Sequence, residues 1–165
     1  MRLALLVVLA SCASSPSLDT AKLETLDYVV PNGWTSRAMA SPHGAMVEWT
    51  PEGDNERKES LVVSRVANPA LALESNRAYL TRDLVGANRA LPEARFGSPV
   101  SFTTRGGLRG LRVDGTFTPN RQPQPYHRVH AVLVDGTSLV HLLFTARELD
   151  RDQVDAVLDG VRPGA

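Results

Sequence analysis

The sequence predicts an α+β fold: a mainly antiparallel sheet of six to seven strands with two helices laid against it, forming a layered sandwich. Three observations predict it. Short β-rich runs recur through the chain, bounded by Gly, Pro, Asn or Asp. The apolar period switches to helical spacing once mid-chain and once at the end. Asp135-Gly136 joins two β runs with only a two-residue connection, which fits a hairpin.

Taken in order, the first element is 26–30, Leu-Asp-Tyr-Val-Val, which stops at the turn signal Pro31-Asn32-Gly33. Residues 45–50 alternate, with Ala45, Val47 and Trp49 on one side. A third strand covers 60–66, after a charged stretch at 51–59 that has to be solvated. Asn68-Pro69 then reads as an N-cap followed by proline at the first helical position. Leu73, Leu80, Leu84 and Ala87 share a helical face up to about Arg89, before Leu91-Pro92.

The second half is mostly sheet. Strands at 98–104 and 108–118 flank Gly106-Gly107, and the proline-rich stretch 119–125 is a loop excluded from any central strand. If Val134 and Thr137 flank the turn, His130 faces His141 across the hairpin. Val129, Ala131, Leu133, Val140, Leu142 and Phe144 then form an apolar core side on the other face. Asp150 caps a final helix with Val154, Val157, Leu158 and Val161 in one stripe and Gly160 near its end. A lipocalin-like barrel fits less well, because the mid-chain helix interrupts the strand series.

The N-terminus reads as an address. Met1-Arg2 is a short basic start and Leu3–Ala10 are eight consecutive apolar residues, long enough for an export signal and too short to span a bilayer. The single cysteine, Cys12, follows after Ser11. Leu9-Ala10-Ser11-Cys12 resembles the lipobox of bacterial lipoproteins, which implies cleavage before Cys12 and lipidation of its thiol. Acyl chains contribute roughly 0.8 kcal/mol of membrane affinity per buried methylene, and two or more give stable anchoring. The reading is therefore a signal peptide at 1–11, a lipidated cysteine and flexible tether at 12–25, and one domain at 26–163. Ala13 after the cysteine resembles a signal for the outer membrane where two membranes exist. With Cys12 lipidated the folded part has no thiol, so its stability rests on a hydrophobic core.

Basic and acidic residues balance at 18 each, which argues against a nucleic-acid binder and against electrostatic membrane attachment. No Gly-x-Ser-x-Gly elbow, phosphate-binding glycine loop or His-Glu-x-x-His occurs. No cofactor is implied.

A family resemblance is carried by three stretches. Tyr28–Trp34, "YVVPNGW", resembles the Pro-x-Gly-Trp opening of PsbP-like domains. "GLRGLRVDGTF", then "RVHAVLVDGTSLVHLLFTA" and a closing helix ending in "VLDGVRP", are similar to DcrB-type envelope lipoproteins of that superfamily. The resemblance implies an α-β-α sandwich and a non-enzymatic accessory or binding role. It carries over no catalytic residue.

Two candidate surfaces emerge. His130 and His141 together could share a Zn²⁺ or Cu²⁺ ion if more ligands joined them, and His127 and Glu48 are conceivable additions; two ligands fall short of the usual four. The alternative is a histidine pair bonded to backbone or water, on a sheet face either open or covered by a helix. Between Arg105 and His130 five arginines oppose one acid, Asp114. Arg112 and Arg128 could border the histidines and dock an anionic group or acidic partner. The expectation is a lipid-anchored envelope protein that docks on another envelope protein through a sheet edge or loops 35–43 and 119–125. The alternative is a small-ligand or metal-binding module on the face of His130, His141, Arg112 and Arg128.

Overall fold

The computed structural model describes residues 16–54, 58–67, 73–120, 122–136 and 138–164. The first strand, β1 (Leu18–Leu23), pairs antiparallel with β2 (Leu26–Pro31). The sequence reading placed residues 18–23 in the tether. They belong instead to the domain, where Ala21 is buried and Leu18 and Leu23 pack on the core. Thr20 and Lys22 interrupt the apolar pattern, so the strand carries little signal of its own. It is held by the ladder it shares with β2 across the tight turn at Glu24, φ 53°.

Next come β3 (Trp34–Ala38), β4 (Gly44–Pro51) and β5 (Glu59–Ala67), then helix α1 (Leu73–Arg89). The two-residue β6 (Arg95–Phe96) and β7 (Val100–Thr103) lead into β8 (Arg109–Phe117). β9 (Tyr126–Asp135) and β10 (Ser138–Ala146) form the hairpin, followed by α2 (Arg151–Asp159) and β11 (Arg162–Pro163). The expected N-cap at Asn68-Pro69 lies outside the described residues, as do Cys12 and its lipobox.

The larger sheet runs β3-β4-β5-β10-β9-β8, with β6 and β7 both paired to β8; β1-β2-β11 form a second, smaller sheet. Every pairing is antiparallel. One face of the large sheet carries Leu61, Val63, Val129, Ala131, Leu133, Val140, Leu142 and Phe144, buried against the small sheet and α2. On the opposite face Leu80 and Leu84 of α1 pack on Leu111, Val113, Val132 and Leu139. The result is α+β with helices on both faces. Ala87 is exposed, and the buried stripe of α1 continues through Asn88, four residues beyond Leu84.

α2 forms as its sequence directs. Asp150 accepts a hydrogen bond from the Gln153 backbone N–H at 3.1 Å, and Val154, Val157 and Leu158 are buried. Gly160 ends the helix with a right-handed φ of −77°, so conformational freedom is not its role. A Cβ there would meet Val29 Cγ2 at 2.4 Å; glycine lets α2 approach β2.

The hairpin differs from the reading by one residue. Ser138 pairs with Asp135, so Asp135 belongs to the ladder, and Gly136 follows it at φ 56°. Asp135 stays in the strand because its carboxylate is held by Arg65 of β5 at 3.2 Å. Paired positions therefore shift by two. His130 stands opposite Leu143 and His141 opposite Val132, but the even shift preserves the faces.

Candidate functional site

β9 and β10 project His130 and His141 to the α1 side of the sheet as diagonal neighbours, ring centroids 5.5 Å apart. α1 places Asn88 above them. Asn88 Nδ2 donates to the Leu84 carbonyl at 2.7 Å and lies 3.0 Å from His130 Nδ1. His130 Nε2 is 3.3 Å from His141 Nδ1.

The first link sets the polarity of the whole chain. The Leu84 carbonyl only accepts, so the Asn88 atom facing it is the amide nitrogen, whose second hydrogen points at His130. His130 Nδ1 accepts, its proton sits on Nε2, and Nε2–H donates to His141 Nδ1. His141 therefore carries its own proton on Nε2. Both rings are neutral: burial, reinforced by His141 and Arg128, pushes His130 down to about 3. Burial also lowers His141, against the raising effect of Asp83.

This polarity works against a metal on the pair. Binding through His130 Nε2 would move its proton to Nδ1, directly against the N–H of Asn88. His127 points to the opposite face, since it alternates with His130 along β9. Glu48 shares the histidine face but stands in β4, three strands from β9, roughly 14 Å by strand spacing. It bonds Arg37 at 2.6 Å. Among the described residues no group of three or more His, Cys, Asp or Glu could hold a metal ion.

The arginine pair of the sequence reading is split. Arg128 lies on the histidine face, two residues before His130. Arg112 does not border the histidines: it stands opposite Ala131, so it points to the α2 side. There it donates to Asp155 of α2 at 2.6 Å and lies 3.5 Å from Asp114, which Arg151 also reaches at 3.1 Å. Burial lowers the Arg112 pKa, but the bond to Asp155 and the nearby carboxylates outweigh it and hold it above its ordinary value. Arg112 thus ties α2 to the sheet.

Arg128 is in a different position. Its guanidinium carbon sits 4.5 Å from the centre of the Phe117 ring, and its Nε donates to Thr145 Oγ1 at 3.3 Å. Burial lowers its pKa. Beside it lies Arg147, which sequence reasoning missed. Arg147 Nε donates to the Tyr126 hydroxyl at 3.2 Å and Nη2 to Gln122 Oε1, in loop 119–125, at 3.0 Å. Asn88 was missed as well. Its one signal was the i+4 spacing from Leu84, which ranks an asparagine below an apolar residue when a buried stripe is drawn.

No family model matches the chain, and no curated protein matches it. Solved structures do. The solution structure of cyanobacterial PsbP (CyanoP) from Synechocystis sp. PCC 6803 superposes with a TM-score of 0.61 at 16% identity, over 96% of this chain and 98% of that one. The crystal structure of LpqN, involved in cell envelope biogenesis of Mycobacterium tuberculosis, gives 0.61 at 15% identity over 93% and 88%. The likeness is one of fold: this chain has the α+β fold seen in CyanoP and LpqN.

Proposed function

We propose that this protein is lipid-anchored in the bacterial cell envelope through Cys12 and acts as a non-catalytic accessory subunit that docks on another envelope protein. The observation that carries the reading is Leu9-Ala10-Ser11-Cys12, which closes an apolar run and puts Cys12 six residues before the first strand at Leu18. Export followed by anchoring explains a single cysteine at that place. The PsbP-like fold supports it, since LpqN, which shares the fold, has a stated role in envelope biogenesis. Among the described residues no helix is long and apolar enough to cross a membrane.

The polar chemistry of the sheet is consistent with binding. The histidines are joined to each other and to Asn88, and Arg112 is committed to α2. The surfaces left for a partner are the exposed edge strand β3, loop 119–125 and the part of the α1-side face beyond the helix. The tether is shorter than a reading of 12–25 implies. From Cys12 to Ser17 the chain spans at most about 18 Å, which keeps the domain close to the membrane surface. If the source has two membranes, the outer one is the expected address. Mass spectrometry of the N-terminal peptide from membrane-purified protein tests the anchor. A diacylglycerol-modified Cys12 as first residue supports the proposal; an unmodified Cys12 in a chain that still starts at Met1 overturns it.

A further inference from the structure

Among the described residues four arginines are half-buried: Arg65, Arg112, Arg128 and Arg147. The first two are neutralised, Arg65 by Glu24 and Asp135, Arg112 by Asp155 and Asp114. Arg128 and Arg147 have no carboxylate partner among the described residues. Their hydrogen bonds and ring contacts are to neutral groups: Phe117 and Thr145 for one, Tyr126 and Gln122 for the other. Asp54, Glu59 and Glu148 line the same cavity as Arg147 but form no ion pair with it. A guanidinium partly withdrawn from water without a counter-charge is unfavourable for folding. The ring contacts and neutral hydrogen bonds offset part of that cost but supply no counter-charge.

Their arrangement is ordered. Thr145 stands opposite Arg128 and Ala146 opposite His127, so Arg147 continues the ladder opposite Tyr126, on the face of Arg128. The rings of Phe117 and Tyr126 lie 6.2 Å apart, with Arg128 over the first and Arg147 5.5 Å from the second. Arg128 and Arg147 are thus diagonal neighbours across the β9–β10 ladder, each set against one ring of the pair. Stacking on rings fixes a guanidinium plane and leaves its outer N–H groups as a fork for a carboxylate. On the same face, Met46, Val62 and Leu143 are partly exposed and belong to neither apolar core.

We infer that this surface docks a carboxylate-bearing segment of a partner protein, an Asp or Glu entering between Arg128 and Arg147 with apolar neighbours laid on Met46, Val62 and Leu143. The inference rests on the docking reading above and assigns its surface. Charge favours a protein acid over an anionic bilayer. The same end of the sheet carries Asp54, Glu148 and Asp150 around Glu59, whose carboxyl burial and those three acids hold above its ordinary range. A single side chain can be aimed at the arginines past those acids, whereas a continuous anionic surface must lie against them.

The test is photo-crosslinking in living cells with full-length protein carrying benzoyl-phenylalanine at Ser60, which stands opposite Thr145. The expected product is a partner peptide with an Asp or Glu within a few residues of the crosslink. Combining Arg128→Gln with Arg147→Gln should reduce its yield at least tenfold, and Arg128→Lys should reduce it less. Because both arginines lack counter-charges, the double variant should melt within a few degrees of the parent. Unchanged yield, a lipid or a second copy as the product, or a melting point lowered by 10 °C or more overturns the inference. Crosslinkers at Thr35 and Gln124 separate the two claims. Capture there with none at Ser60 removes this surface and keeps docking; no capture at any of the three removes both.

Discussion

Asn88 fixes the tautomer of His130: its amide nitrogen bridges the Leu84 carbonyl, 2.7 Å away, and His130 Nδ1, at 3.0 Å. The end of α1 is thereby hydrogen-bonded to the sheet at one buried point. Replacing Asn88 by alanine strands an imidazole acceptor under the helix and should destabilise the domain by about 1–3 kcal/mol, measured by urea unfolding. Long-range ¹H–¹⁵N spectra at pH 7 should show the Nε2–H tautomer for both histidines. An Nδ1–H signal from His130 would break the account of the chain.

Stability should fall in acid. An unfolded histidine takes its proton near pH 6.5, whereas folded His130 takes it only near about 3. Between these values the unfolded chain holds more protons, so the contribution of His130 is complete above about pH 6.5 and is lost progressively below it. Between pH 7 and pH 4 the loss should be about 1–3 kcal/mol. His130→Phe should flatten that part of the stability profile; an unchanged slope would place the acid sensitivity elsewhere.

Arg112 should matter for folding and not for docking. Its bonds to Asp155 and Asp114 are half-exposed, so Arg112→Ala should cost about 0.5–1.5 kcal/mol. Partner capture in cells should be unaffected by this variant. Loss of capture without loss of stability would return Arg112 to the docking surface.

Gly160→Ala should destabilise by about 1–3 kcal/mol, because its methyl would overlap Val29. Pairing it with Val29→Ala should recover part of that loss, so the two changes are non-additive in thermal unfolding. Simple additivity would mean that α2 and β2 are not in tight contact there.

Much of this fold is legible because each main strand has its own pattern. The apolar side of the hairpin follows from alternation alone, and Val129, Ala131, Leu133, Val140, Leu142 and Phe144 are all buried where alternation puts them. Elements without a pattern of their own are not legible. β1 is held by its neighbour, and β6 is two residues long, packing Phe96 where Gly115 of β8 leaves room. The pairing of His130 with His141 is legible despite the shifted register, because a slip of two keeps the face. Arg112 is different. Its face follows from a register between β8 and β9 that no turn signal fixes, since a proline-rich loop separates them. Asn88 and Arg147 are invisible for a related reason. Their roles depend on which residues α1 and the sheet bring together, not on local spacing.

On the proposed reading, the lipid on Cys12 brings the domain to a protein partner. In-cell crosslinking of tagged wild-type protein and of Cys12→Ser, followed by purification and mass spectrometry, tests it most directly. One discrete envelope partner is expected with the wild type, and its loss with Cys12→Ser, while the variant remains folded. The same partner recovered in equal amount from both, or none from either, would contradict it.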